Sequence, residues 1–133
     1  MIKKILGLLI LSLFITPCFA IEIYNDNNYS FQVDSVMFFE NGNKIYYTLY
    51  VLPLLDNSKY YKAQVTQYKT NGYLNISKLY TLSPNEQYVH TDNSKNIISN
   101  TIKNYNTTLS NNILNTFTNC EENISYLYCL PNR

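Results

Sequence analysis

Glycine, histidine and tryptophan are scarce or missing in this chain, and their scarcity excludes several kinds of site. The 133 residues include three glycines, one histidine and no tryptophan. A glycine-rich phosphate loop needs several glycines within a short stretch, so none can be built here. The lone histidine, His90, has no cysteine or second histidine at the spacing of metal ligands. We therefore predict neither a cofactor nor a metal site.

Acidic residues are also few, and their scatter argues against catalysis. The sequence contains nine aspartates and glutamates, and no two share an obvious face of a strand or helix, as a glycosidase pair would. His90 precedes a Thr-Asp-Asn stretch that is typical of a surface loop. We predict no catalytic residue and a protein that is not an enzyme. The alternative is a small secreted hydrolase, which a pocket holding His90 with Glu86 or Asp92 would support.

Residues 1–20 have the layout of a cleavable signal peptide. Two lysines precede an apolar run over residues 5–15, and Ala20 follows as the small residue before a cut. The run is too short for a membrane anchor, which needs about 20 apolar residues. We predict cleavage after Ala20, export to the periplasm or outer surface of a bacterium, and a single domain over residues 21–133.

Cys18 suggests an alternative cleavage site, the one used in bacterial lipoproteins. A bacterial lipoprotein is cut just before a cysteine that is then acylated. The residue before that cysteine is normally small, and Pro17 fits this requirement poorly. We expect attachment to a membrane only if Cys18 is lipidated.

The charge balance disfavours a nucleic-acid partner. The formal net charge is +1, and removal of Lys3 and Lys4 with the signal peptide changes it to −1. No run of like charge appears along the chain. Nucleic-acid-binding domains carry a basic patch, so this class is not expected.

Two cysteines remain after cleavage, Cys120 and Cys129. An even cysteine count in an exported chain favours a disulfide. The bridge would close a loop of eight residues, 121–128, and would contribute about 2–3 kcal/mol of stability. A metal or redox pair is the alternative, although the spacing is not Cys-x-x-Cys.

Alternating apolar residues and turn signals predict strands through the first two thirds of the domain. Asn-Gly pairs at 41–42 and 71–72 favour hairpins because both residues tolerate positive φ. Asp34-Ser35 indicates a turn or bulge, and residues 21–28 read as a polar lead-in. The predicted strands cover residues 29–33, 36–40, 44–52, 60–69 and 73–82, with a further short stretch at 87–91.

The last third changes to a helical period. Apolar residues recur every three or four positions at Ile98, Ile102, Tyr105, Leu109, Ile113 and Phe117. We predict a helix over 109–117 with Thr108 as its N-cap, and leave residues 94–106 open between helix, strand and loop. The predicted fold is α+β, an antiparallel meander of about five strands packed by one C-terminal helix, with the tail tied by the disulfide.

Tyrosine is abundant, at 14 residues. Exposed tyrosine is a favoured contact residue because it presents a large rigid ring with a polar group. We select Tyr46, Tyr50, Tyr60 and Tyr68 as a possible binding surface for proteins or sugars. The alternative is that half of the tyrosines face the core and the rest reflect codon bias.

The segment YSFQVDSVMFFENGNKIYYTLYVLPLL, residues 29–55, resembles the opening of the surface-adhesin protein E family. Asp34-Ser35-Val36 and Asn41-Gly42-Asn43-Lys44 occur in the order of that family's first turn and hairpin. The strand over residues 60–69 also fits, and residues 113–120 resemble the family's last helix, which ends in a cysteine.

The resemblance implies a small bacterial surface protein that binds host matrix and plasma proteins. The family's other cysteine follows the strand equivalent to 60–69, where this chain has Thr70-Asn71-Gly72, so Cys129 becomes the candidate partner of Cys120. We expect an exported surface or periplasmic binding protein, including an adhesin with a protein ligand. The alternative is a periplasmic accessory or inhibitor protein that acts within the envelope.

Overall fold

The computed structural model describes residues 20–85, 87–89 and 93–132. The predicted signal peptide, with Cys18, therefore lies outside the described residues apart from Ala20. Glu86, His90 and Asp92 also lie outside them. Within the described ranges, no helix is both long and apolar enough to span a membrane.

The described residues form an antiparallel sheet of seven strands and two helices. The strands lie in the order β5-β4-β3-β2-β7-β6, and β1 also pairs with β2. The elements are β1 (Ile21–Asn25), β2 (Tyr29–Phe39), β3 (Lys44–Pro53), β4 (Tyr60–Tyr68), β5 (Leu74–Leu82), α1 (Lys95–Asn104), α2 (Asn106–Thr116), β6 (Asn119–Glu122) and β7 (Tyr126–Leu130).

Tight turns connect β2 to β3 and β4 to β5. Asn41 and Gly42 have φ values of 58° and 87°, in a short 3₁₀ turn between β2 and β3. Gly72, between β4 and β5, has a φ of 68°. Asparagine and glycine adopt this left-handed region at low cost, so the two Asn-Gly signals lie at the hairpin turns.

β2 continues through Asp34 and Ser35 as a single strand. Its register with β3 shifts between Val33 and Val36, so the polar pair forms a bulge and not a turn. On the edge of β2 that faces away from β3, the bulge separates two halves that pair with different strands. β1 pairs with residues 30–33 and β7 pairs with residues 36–39.

The predicted meander of about five strands packed by one C-terminal helix is wrong. The tail forms the β6–β7 hairpin, which joins the sheet beside β2, and residues 21–25 form β1 where a lead-in was expected. Residues 95–104, left open above, form helix α1. Sequence periodicity is a local property, and it does not report that residues 126–129 pair with a strand about 90 residues earlier.

The predicted disulfide is confirmed. Cys120 on β6 lies directly opposite Cys129 on β7, with an S–S distance of 2.02 Å and a Cα–Cα distance of 4.1 Å. The bridge closes the hairpin at its base. Cys129 is buried against the core, whereas Cys120 is exposed.

Both helices pack on one side of the sheet, which we call the helix face. α1 buries Ile98 and Ile102, and α2 buries Leu109 and Ile113. They form one apolar cluster with inward-pointing residues of β2, β3 and β4: Phe31, Val33, Val36, Phe38, Ile45, Tyr47, Leu49, Val51, Tyr61, Ala63 and Val65.

A buried polar chain fixes the start of α2 to the sheet. The Tyr47 hydroxyl donates to Oε1 of Gln67 at 2.8 Å, and Nε2 of Gln67 donates to the carbonyl of Asn106 at 2.8 Å. Burial raises the pKa of Tyr47, because its charged form would lose hydration. Since each of these buried groups has a partner, the hydrogen bonds orient α2 without leaving a polar atom unpaired.

Candidate functional site

The side of the sheet away from the helices, which we call the open face, carries the candidate site. Its side chains alternate with those of the helix face along each strand. Their mutual register follows from the strand pairing. The open face includes Glu22, Ser30, Gln32, Met37, Phe39, Lys44, Tyr46, Thr48, Tyr50, Leu52, Tyr60, Lys62, Gln64, Thr66, Tyr68, Asn75, Lys78, Tyr80, Leu82, Glu121, Tyr126 and Tyr128.

One row of this face crosses four strands near the β2–β3 turn. Phe39 pairs with Tyr126 on one side and with Lys44 on the other, and Lys44 pairs with Tyr68. The Phe39 and Tyr126 ring centroids lie 5.5 Å apart. The Lys44 ammonium lies 5.9 Å from both the Phe39 and the Tyr68 ring centroids, within reach of a cation–π attraction.

The next row places Tyr128, Met37, Tyr46 and Thr66 side by side on β7, β2, β3 and β4. Tyr128 is 36% exposed, and its three neighbours are half-buried. The apolar members of both rows form what we call the aromatic patch: Met37, Phe39, Tyr46, Tyr68, Tyr126 and Tyr128. In the described part of the chain both helices pack on the other side of the sheet, and a partly exposed apolar patch is characteristic of an interaction surface.

All four tyrosines selected from the sequence lie on the open face, but in two environments. Tyr46 and Tyr68 are half-buried members of the aromatic patch. Tyr50 and Tyr60 are 5% and 0% exposed, and they pack with Leu52 and other residues in a small second core at the opposite end of the face. Contact area is therefore available at Tyr46 and Tyr68, while Tyr50 and Tyr60 stabilise the sheet.

Sequence reasoning missed the residues that β7 and β2 contribute to the patch. Tyr126 and Tyr128 were assigned to a tail, although the alternation of Tyr126, Tyr128 and Leu130 is a strand signal. Met37 and Phe39 were placed on a strand without being recognised as neighbours of Tyr46. Only the pairing of β7 with β2 brings these side chains together.

Lysines occupy the other half of the open face. Lys62 on β4 lies opposite Tyr80 on β5, and Lys78 on β5 lies opposite Gln64 on β4. Across the sheet, Glu121 on β6 lies opposite Tyr128. The face therefore runs from an acidic margin through the aromatic patch to a basic half.

Three groups with a shifted pKa, Tyr29, Tyr105 and Asp56, lie away from the open face. Desolvation, followed by the charges of Tyr61 and Asp26, raises the pKa of Tyr29. A hydrogen bond to Asp26 is the main cause that raises the pKa of Tyr105. Hydrogen bonds from Ser58 lower the pKa of the exposed Asp56. Each of these three shifts has a local structural cause.

Within the described ranges, no group of three or more histidine, cysteine, aspartate or glutamate side chains is arranged to hold a metal ion. The hydrolase alternative depends on His90, Glu86 and Asp92, which lie outside those ranges.

A scan against models of known protein families, a search of curated proteins and a search of solved structures each found no match to this chain. The resemblance to the surface-adhesin protein E family stays a prediction.

Proposed function

We propose that this chain is an exported bacterial binding protein that contacts a protein ligand through its open face. The observation that carries the proposal is the aromatic patch on a sheet whose two helices both pack on the opposite side. Tyrosine and phenylalanine supply large contact areas, and tyrosine adds a hydroxyl for hydrogen bonding at the rim.

The patch is also well ordered for binding. Tyr46, Tyr68 and Tyr126 are half-buried among their neighbours, and they project from strands paired on both sides. Side chains that are already restricted lose less conformational entropy when a partner covers them. When a partner covers a rigid aromatic surface, less of the favourable free energy of burial is offset by lost entropy than for a mobile loop, so binding is tighter.

The signal-peptide layout and the disulfide support export, because disulfides persist in oxidising compartments. The resemblance to the surface-adhesin protein E family supports a surface location and a host matrix or plasma protein as ligand. Protease treatment of intact cells tests the location. A surface protein is digested, whereas a periplasmic protein is protected until the outer membrane is opened.

One observation favours the alternative role of an accessory or inhibitor protein within the envelope. The β6–β7 hairpin is closed by the disulfide, all four β6 residues are exposed, and Ile124 at its tip is fully exposed. A rigid hairpin that presents an apolar side chain fits a pocket on a second protein. Loss of partner binding in Ile124→Ser, with binding retained in Tyr46→Ser, would favour this role.

The decisive experiment measures binding of the purified mature chain to immobilised matrix and plasma proteins by surface plasmon resonance. The double variant Tyr46→Ser, Tyr128→Ser removes the centre of the aromatic patch. We expect affinity to fall about tenfold or more per tyrosine, as for buried aromatic contacts. The control is Ile97→Ser, because Ile97 is an exposed apolar residue on α1. Equal binding by the double variant and the wild type would refute the open face as the contact surface.

A further inference from the structure

The near-zero net charge conceals a strong separation of charge along the chain. Residues 44–85, which contain β3, β4 and β5, carry five lysines and one acidic residue, Asp56. The other described residues carry six acidic residues and two lysines, Lys95 and Lys103. Among the described residues, the side of the sheet with β3, β4 and β5 is therefore basic, and the side with β1, β6 and β7 is acidic.

Part of this basic charge lies on the open face itself. Lys44 is half-buried beside the aromatic patch, Lys62 is half-buried on β4, and Lys78 is exposed on β5. Strands β3, β4 and β5 contain no acidic residue that could neutralise them. Asp56 lies in the β3–β4 loop, where it accepts hydrogen bonds from Ser58. We call the β4–β5 part of the open face, with Lys62 and Lys78, the lysine half.

We infer that the lysine half receives an acidic segment of a protein partner whose apolar side chains cover the aromatic patch. The inference rests on the proposed function and adds the partner's chemistry to it. Complementary charge across an interface steers encounter and selects among partners. The aromatic patch would therefore supply most of the affinity, and the lysine half would select the partner by its charge.

The acidic margin of the same face argues for a protein over a uniform polyanion. Glu121 lies beside Tyr128 at the β6 side of the patch, and Glu122 follows it. An anionic polysaccharide lying across the whole face would meet these carboxylates and be repelled. A protein surface can place acidic residues over Lys62 and Lys78 alone, with neutral or basic residues near Glu121.

The test uses fluorescence anisotropy with a labelled poly-L-glutamate peptide and the mature chain at low ionic strength. Two double variants change the charge by the same amount, Lys62→Glu with Lys78→Glu on the open face and Lys95→Glu with Lys103→Glu on α1. We expect the first pair to weaken binding about tenfold, since each exposed ion pair contributes modestly and two charges are reversed. We expect the second pair to bind as the wild type does.

The dependence of poly-L-glutamate binding on ionic strength, and a comparison with poly-L-lysine, provide the second readout. Binding of poly-L-glutamate should weaken as ionic strength rises, because exposed charges are screened over about 10 Å at 0.1 M salt. A poly-L-lysine peptide should not bind to the lysine half. The Tyr46→Ser, Tyr128→Ser variant should retain poly-L-glutamate binding, so that failure of the aromatic contact and failure of the lysine contact are distinguished.

Four outcomes overturn the inference. Equal weakening by both double variants would show an effect of net charge and not of this face. Absence of poly-L-glutamate binding would show that the lysine half does not bind an acidic segment. Stronger binding of dextran sulfate, with the same dependence on Lys62 and Lys78, would identify a polyanionic glycan. Self-association that both Lys62→Glu, Lys78→Glu and Glu121→Lys, Glu122→Lys abolish would identify a second copy of the chain.

Discussion

The helix face and the open face belong to the same strands, yet their surroundings differ. Tyr46 and Tyr47 are adjacent on β3 and point to opposite sides. Tyr47 is buried beneath the helices and donates a hydrogen bond to Gln67, whereas Tyr46 is half-buried in the aromatic patch. Residue type alone therefore does not separate the core from the proposed contact surface in a tyrosine-rich chain.

The difference between the faces lies in what covers them. On the helix face, α1 and α2 complete an apolar cluster, and the polar groups there are paired. On the open face, the aromatic rings shield one another only in part. Variants that act on one face and spare the other are the sharpest way to test this separation.

The largest expected effect is a cavity in the helix-face core. Leu49→Ala removes a fully buried side chain and should lower the free energy of unfolding by about 2–5 kcal/mol. Its neighbour Thr48 is on the open face, and Thr48→Ala should change stability by less than about 0.5 kcal/mol. Urea unfolding followed by circular dichroism measures both. Equal losses would contradict the assignment of the two faces.

The disulfide gives the next largest effect. Replacing Cys120 with Ser and the buried Cys129 with Ala should cost about 2–3 kcal/mol, because the unfolded chain regains the freedom of the closed loop. Because β7 supplies Tyr126 and Tyr128, ligand binding should weaken as well. Thermal unfolding of the double variant should match that of the reduced wild type. A mismatch would mean that the substitutions themselves, rather than the lost bridge, cause the change.

Tyr47→Phe should cost about 1–3 kcal/mol, because the buried Oε1 of Gln67 loses its donor. Tyr46→Phe, on the open face, serves as the matched control and should be nearly neutral. If both variants lose the same stability, the buried polar chain is not what holds α2 in place.

The pH dependence of stability adds a second test of Tyr47. Its pKa is raised in the folded state, so its contribution is intact below about pH 10, the ordinary tyrosine pKa. The contribution is lost as the pH rises above that value, since the unfolded chain then releases a proton that the folded chain retains. Wild-type stability should therefore fall more steeply above pH 10 than that of Tyr47→Phe. Parallel curves would contradict the burial of this hydroxyl.

The smallest expected effect lies on the open face. Lys44→Met removes an ammonium that lies 5.9 Å from two ring centroids, and it should cost about 0.5–1 kcal/mol. Lys69→Met, in the exposed β4–β5 turn, is the control. Because cation–π attraction is electrostatic, the difference between the two variants should shrink in high salt. A difference that salt does not change would indicate lost alkyl packing instead.

Local structure was largely predictable from the sequence. The strands over 44–52, 60–69 and 73–82 were located within one residue at most ends, because alternation and Asn-Gly turns act over short distances. Cys120 and Cys129 were paired correctly because no other pair of cysteines remains once the predicted signal peptide, with Cys18, is set aside. The tyrosines of β3 and β4 could be assigned to faces, since alternation fixes side-chain direction.

The sequence by itself determined strands β3, β4 and β5, the two Asn-Gly turns and the bridge, which all depend on neighbours within about ten residues. Only the tertiary structure decided that the bulge at Asp34-Ser35 leaves β2 unbroken and that β7 pairs with its second half. That long-range pairing assembles the aromatic patch from Phe39, Tyr46 and Tyr126. Its free energy comes from contacts between segments far apart in the chain, which no local pattern encodes.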